Sequence, residues 1–222
     1  MLPYKVGVET GRRFCWCTDG QVLRQTEEQE WQDQEERERP AKLQMLLERI
    51  NPPEWVTNQN LTMETFKPSR SQENVYRRVV AAAEKREGQS VLLYGEASRG
   101  KTGLLTTLLI RLVETHARPG KYWPATVLMD EITRQAHQDI GDEGDVLFSA
   151  SRIPYLMIDD IDKLRLTTGF AVERFYQLIN ARYDAGLCTL VTTNLDIAAL
   201  TAKMDAYVVD RLVHLCGGLE DG

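Results

Sequence analysis

The run Gly95-Glu96-Ala97-Ser98-Arg99-Gly100-Lys101-Thr102, followed by Gly103, matches the pattern G-x-x-x-x-G-K-[ST], a spacing suited to holding a chain of phosphates. Glycines let successive backbone N–H groups point at one anion, and a helix beginning at the second glycine adds the positive end of its dipole. The lysine then reaches the β- and γ-phosphates of a nucleoside triphosphate, and the hydroxyl after it ligates Mg²⁺. We expect ATP and Mg²⁺ as ligands, bound by Gly95 to Gly103, with Lys101 on the phosphates and Thr102 on the metal. Ser98 stands where a further glycine would suit. If the loop needs positive φ there, Ser98 adopts it at a cost that weakens nucleotide affinity without abolishing it.

A second group is the apolar run Tyr155-Leu156-Met157-Ile158 ending in Asp159-Asp160. An acid at such a strand tip holds the magnesium, which makes Asp159 the expected metal partner. Asp160 stands where a carboxylate polarises the attacking water, the alternative being an acidic helix cap. Asp162 is left out of the site. A third group is Leu190-Val191-Thr192-Thr193-Asn194, an apolar strand with a polar tip. It resembles the strand of the additional-strand ATPases whose polar tip residue bonds the γ-phosphate or the attacking water, a role that Asn194 would fill; the plainer alternative is a turn asparagine before a helix. Arg211, in Asp210-Arg211-Leu212, either reaches a neighbour's γ-phosphate or forms a surface pair of little consequence with Asp210.

These residues need elements to hold them. Ser90 to Tyr94 is short, apolar and unbroken, as in a parallel strand covered on both faces. Strands are also expected at Ala125 to Met129, Tyr155 to Ile158 and Leu187 to Thr192, with helical sequence between them, which predicts a parallel sheet wrapped by helices. The Leu-rich stripe of Lys101 to Thr115 and the stripe Val172, Phe175, Tyr176, Ile179 and Tyr183 are expected core. Ser71 to Arg86 reads as a further helix, with Gly88 as its stop.

Upstream, Thr26 to Arg39 is rich in Glu and Gln, with Trp31 its only large apolar residue, and predicts a solvated helix. Pro40 suits the first turn of a second helix carrying Leu43, Leu46, Leu47 and Ile50. Asn51-Pro52-Pro53 should end it, and the polar run 57–60 reads as a linker. The expected organisation is an arm over 1–60, for binding a partner, and an ATPase domain over 61–222.

At 222 residues the chain has room for one well-packed domain plus an appendage. Its net charge of −6 argues against coating nucleic acid by bulk attraction. No apolar run approaches the length of a membrane helix, so no membrane partner is expected and the localisation is expected to be cytoplasmic. Cys15, Cys17, Cys188 and Cys216 lack the paired spacing of a zinc site and are expected to be free thiols, half a zinc ribbon at Cys15 and Cys17 being the alternative.

Taken together, Phe66-Lys67-Pro68 with Asn74, the phosphate loop, Ile158-Asp159-Asp160, the run from Phe175 to Tyr183, Thr192-Thr193-Asn194 and Asp210-Arg211-Leu212 resemble the DnaC-type AAA+ helicase loaders over about residues 60–215. The IstB-type transposition helper ATPases share the same core. The resemblance implies an α/β AAA+ P-loop core with a five-stranded parallel sheet of order 5-1-4-3-2, and an ATPase that turns over slowly until stimulated by assembly or DNA. Asp160, Asn194 and Lys101 would act in its site, completed by Arg211 of a neighbouring copy in an open ring or spiral. It also implies single-stranded DNA on the ring axis and a replicative helicase gripped by the N-terminal arm. Candidates for the axial contact are Arg134, Arg152, Lys163 and Arg165. No Lys or Arg follows Arg211, so the second sensor arginine of some loaders is not expected here. Two other readings remain: an IstB-type helper that assembles on duplex DNA and recruits a transposase, and an ATP-switched scaffold with weak hydrolysis.

Overall fold

A computed structural model describes residues 6–9, 12–15, 18–70, 72–84, 89–136, 145–166 and 168–216. The chain divides into two compact units, 1–44 and 45–222. The division falls earlier than the polar run at 57–60 suggested, because Leu46, Ile50 and Val56 are buried and draw the segment after 44 into the larger unit.

The first unit opens with a hairpin that the sequence pattern did not reveal. Strand β1 (Val6–Glu9) pairs antiparallel with β2 (Arg12–Cys15), Val6 opposite Cys15 and Glu9 opposite Arg12. Helix α1 (Thr18–Ile50) begins in this unit and ends in the second. Two helices meeting at Pro40 were expected; one helix runs through it, giving up the bond that a proline has no N–H to make.

In the second unit α2 (Glu54–Asn58) and α3 (Glu73–Glu84) precede β3 (Val91–Leu93), α4 (Lys101–His116), β4 (Gly120–Pro124), α5 (Ala125–Ala136), α6 (Val146–Arg152) and β5 (Tyr155–Asp159). A 3-10 turn (Ile161–Lys163), α7 (Gly169–Asp184), β6 (Cys188–Thr192), α8 (Ile197–Lys203) and α9 (Ala206–Leu215) follow. The strands form one parallel sheet of order β3-β6-β5-β4. This is the 1-4-3-2 portion of the expected order; a fifth strand is not found among the described residues.

The expected strand at 125–129 is a correction. Ala125, Leu128, Met129 and Ile132 are all buried, a helical period, and they form one face of α5. The strand lies just before it, in Gly-Lys-Tyr-Trp-Pro, whose aromatics favour an extended backbone. Gly120 is needed there: a Cβ would sit 2.6 Å from Val113 Cγ2 of α4, so the helix presses directly on the strand.

The two central strands of the sheet are covered on both faces. All of Tyr155–Asp159 and Cys188–Thr192 is buried, flanked by the leucines of α4 on one side and by Phe175, Leu178 and Ile179 of α7 among the cluster on the other. Arg182, fully buried, ties these layers together. Its guanidinium donates to Ala150 O at 2.7 Å, Ile153 O at 2.8 Å, Cys188 O at 2.6 Å and Thr189 Oγ1 at 2.8 Å. Burial draws its pKa down to about 10, and it stays charged at neutral pH.

Candidate functional site

Because β3, β5 and β6 run parallel, their carboxyl ends and the first turn of α4 meet at one edge, the usual ligand position in open α/β sheets. The loop from β3 to α4 is bent by three residues with positive φ: Gly95 at 129°, Ser98 at 62° and Gly100 at 77°. Ser98 therefore occupies the left-handed region that its position required. Gly100 is the N-terminal cap of α4, leaving the amides of that first turn directed into the loop. Glu96 and Arg99 pair with one another on its outer side, and the Gln72 side-chain amide donates to Arg99 O. Ala97, Ser98 and Gly103 line the same open cleft of about 500 Å³ as Lys101, together with Trp55, Asp160, Lys163 and Asn194.

Lys101 is buried and its ammonium donates to Gly95 O at 2.8 Å, Glu96 O at 2.7 Å and Asn194 Oδ1 at 2.8 Å. Burial lowers its pKa, opposed by the charges of Asp160, Asp162 and Asp159. Thr102 Oγ1 donates to Asp159 Oδ1 at 2.9 Å, so the residues expected to share a metal lie in direct contact.

Asp159 is held from two further sides. Thr192 Oγ1 donates to its Oδ1 at 2.5 Å and the Tyr122 hydroxyl to its Oδ2 at 2.9 Å. Burial raises the Tyr122 pKa, and the Asp159 carboxylate raises it further, so the phenol keeps the proton that it donates. Thr192 Oγ1 also accepts from the Asp160 N–H at 2.8 Å, bridging both acids. Asp160 has φ 58° and its carboxylate is engaged twice: Lys163 Nζ pairs with Oδ2 and Asn194 Nδ2 donates to Oδ1 at 3.3 Å.

Asp162, left out of the expected site, belongs to its scaffold. It accepts from the Asn194 backbone N–H at 2.8 Å and from Asn194 Nδ2 at 3.2 Å. Burial pushes its carboxyl pKa up, but the hydrogen bonds from Asn194, its own backbone N–H and Thr193 together outweigh this and leave it below the ordinary value. Tyr122, Thr192 and Lys163 were not anticipated in these roles either. Each lies on a strand or turn where its neighbours in sequence give no sign of which tip it meets.

Arg211 is not among the residues lining this cleft; it lies on α9 over the Tyr183 ring, 4.7 Å from its centroid. The Asp210 carboxylate is directed to His214 Nδ1 at 3.4 Å. Of the basic residues suggested for an axial contact, Arg134 pairs with Glu131, Lys163 with Asp160, and Arg152 sits 4.2 Å over the Phe148 ring. Arg165 is exposed. Cys188 and Cys216 are free and buried, while Cys17 lies outside the described residues. Among the described residues, no group of three or more His, Cys, Asp and Glu side chains converges as a metal-ligand cluster, and no helix is long and apolar enough to cross a membrane.

A parallel 1-4-3-2 sheet, a phosphate loop between its first strand and helix, and acid and amide groups at the next two strand tips define the P-loop ATPase fold of the AAA+ kind. No protein-family profile matches this chain, and no curated protein matches it in sequence. Solved structures do. The fold is similar to the DnaC helicase loader, with a TM-score of 0.64 at 21% identity over 70% of this chain and 93% of that one. It is similar to DnaI, with a TM-score of 0.63 at 18% identity over 75% of this chain and 93% of that one. AMPPCP-bound DnaA from Aquifex aeolicus gives a TM-score of 0.57 at 17% identity over 68% of this chain, which spans 47% of that protein.

Proposed function

We propose that this chain is an AAA+ ATPase that loads a replicative helicase onto DNA. The observation carrying the ATPase reading is the meeting of Lys101, Thr102, Asp159 and Asn194 at one loop, joined by hydrogen bonds of 2.8 and 2.9 Å. Amide groups of the 95–103 turn bind the phosphates, and Lys101 exchanges carbonyl and amide oxygens for β- and γ-phosphate oxygens. The hydroxyl of Thr102 beside the carboxylate of Asp159 is a hard oxygen pair suited to Mg²⁺. Bound there, Mg²⁺ would neutralise charge on the phosphates. Asp160 orients the attacking water and takes its proton as the bond to the ADP oxygen breaks; Asn194 holds the γ-phosphate side.

The loader reading is supported by the ordered motifs and by the similarity in fold to a structure described as a helicase loader. In this reading the segment 1–60 grips the helicase, copies assemble with ATP into an open ring or spiral around single-stranded DNA, and Arg211 acts in trans. A pull-down with the cognate helicase, with and without ATP and with Lys101→Ala as control, tests it. An ATP-dependent complex is expected. Lack of association under all conditions would end the loader assignment, and turnover that survives Lys101→Ala would end the site assignment.

The pairing of Lys163 with Asp160 favours a second reading, an ATP-switched scaffold, because a carboxylate held by an ammonium is a poor base. Single-turnover kinetics with and without DNA separate the two: hydrolysis that stays slow under both conditions supports the scaffold.

A further inference from the structure

Outside the cleft, α7 and α9 carry a cluster that the nucleotide chemistry above does not use. The Arg211 guanidinium lies over the face of Tyr183, with the Tyr176 hydroxyl close enough to favour its charged form. Tyr176 and Tyr183 are two turns apart on α7 and so project from one face, and α7 packs against α9. These tyrosines read as core in the sequence, continuing the stripe of Phe175 and Ile179. Yet Phe175 and Ile179 are fully buried while Tyr183 remains 38% exposed.

The chemistry of the contact matters. A carboxylate would also fix a guanidinium, but it would neutralise the charge that a phosphate must meet. An aromatic face and a phenol oxygen fix its direction and leave the charge free. Of the nearby acids, Asp210 is turned to His214, as expected because adjacent helix residues do not face each other, and Asp184 accepts from Asn180 Nδ2 at 2.8 Å and acts on Arg211 only through its charge.

We infer that Tyr183 and Tyr176 are positioning residues, holding the Arg211 guanidinium extended at the surface for the nucleotide cleft of a second copy of this chain. The inference rests on the proposed trans role of Arg211. It adds that the arginine is set in place before the copies meet, so that its side-chain freedom is already restricted when the phosphate arrives.

Mixed subunits test it. Chains with Lys101→Ala have no working cleft but present Arg211; chains with Arg211→Ala have the cleft but no arginine. Mixing them should restore turnover, read as kcat and KM for ATP. Adding Tyr183→Leu to the Lys101→Ala chain should lower the restored kcat about tenfold with KM unchanged, the scale of one cation–π contact. Tyr183→Phe, which keeps the ring, should restore turnover fully. Should Tyr183→Leu not fold, Tyr176→Phe removes only a hydroxyl and should lower the restored kcat several-fold. Full restoration by Tyr183→Leu or, if it does not fold, by Tyr176→Phe overturns the inference, as does equal loss with Tyr183→Phe. If Arg211→Ala alone leaves turnover intact, or mixing restores nothing, the trans reading fails and the positioning role falls with it.

Discussion

The ammonium of Lys101 and the side-chain oxygen of Asn194 lie 2.8 Å apart, across the gap between the helix after β3 and the tip of β6. The contact fixes which way the amide points. With Oδ1 facing the lysine, Nδ2 faces Asp160 and Asp162, so one asparagine joins the phosphate cation to the acid proposed to activate water. In the proposed reading, a γ-phosphate that takes the place of Asn194 Oδ1 on Lys101 would free the amide and so change the surroundings of Asp160. Asn194→Ala should lower kcat roughly 10²-fold, the scale of one lost transition-state donor, with a much smaller change in ATP affinity. Steady-state turnover and equilibrium binding measured on the same preparation check this; an equal loss in both would mean that Asn194 serves binding alone.

Tyr122 makes a second prediction because it steadies the proposed metal partner without touching the phosphate loop. Its hydroxyl donates to Asp159 Oδ2 at 2.9 Å while Thr102 and Thr192 occupy Oδ1. Tyr122→Phe keeps the ring and frees one oxygen. The Mg²⁺ concentration for half-maximal turnover should rise about tenfold, as for other lost partners of metal-binding carboxylates. Titrating Mg²⁺ at fixed ATP provides the readout, and an unchanged midpoint would remove Tyr122 from the site.

The phosphate loop and the acid at the end of β5 were legible because their signal is local: fixed spacing, with a strand on one side and a helix on the other. Helix α4 was legible for the same reason. The strand and helix at 120–136 were harder to separate, because Val127, Leu128 and Met129 form an apolar run that suits either element. Only the burial of Ala125, Leu128, Met129 and Ile132 settles the period. The braces on Asp159 and Asn194 were not legible, since Tyr122, Thr192 and Asp162 reach them through strand register and a turn. Local sequence carries no signal for such meetings: Thr192 reaches Asp159 because β5 and β6 are adjacent in the sheet.

Arg182 carries a prediction for stability rather than catalysis. Its loss would leave the carbonyls of Ala150, Ile153 and Cys188 without the guanidinium that now satisfies them. Arg182→Leu should destabilise the fold by about 3–5 kcal/mol. Arg182→Lys should recover only part of this, because an ammonium lacks the planar fork that spans these acceptors. Urea unfolding of the variants tests the order; a lysine variant as stable as the parent would show that charge alone suffices.

Asp162 yields a pH prediction. Its carboxyl pKa lies below the ordinary value of 3.8, so the folded chain binds this proton less readily than the unfolded chain. The resulting stability is fully present above the unfolded value and is lost as pH falls through the folded one. Asp162→Asn removes that dependence together with the charged acceptor for the Asn194 N–H groups. The parent should therefore be more stable than Asp162→Asn near pH 7, and the difference should narrow as pH falls below about 4. Denaturant unfolding of both chains from about pH 7 to about pH 3 measures this gap. A gap of constant size across the range would place the contribution of Asp162 in its shape and not in its charge.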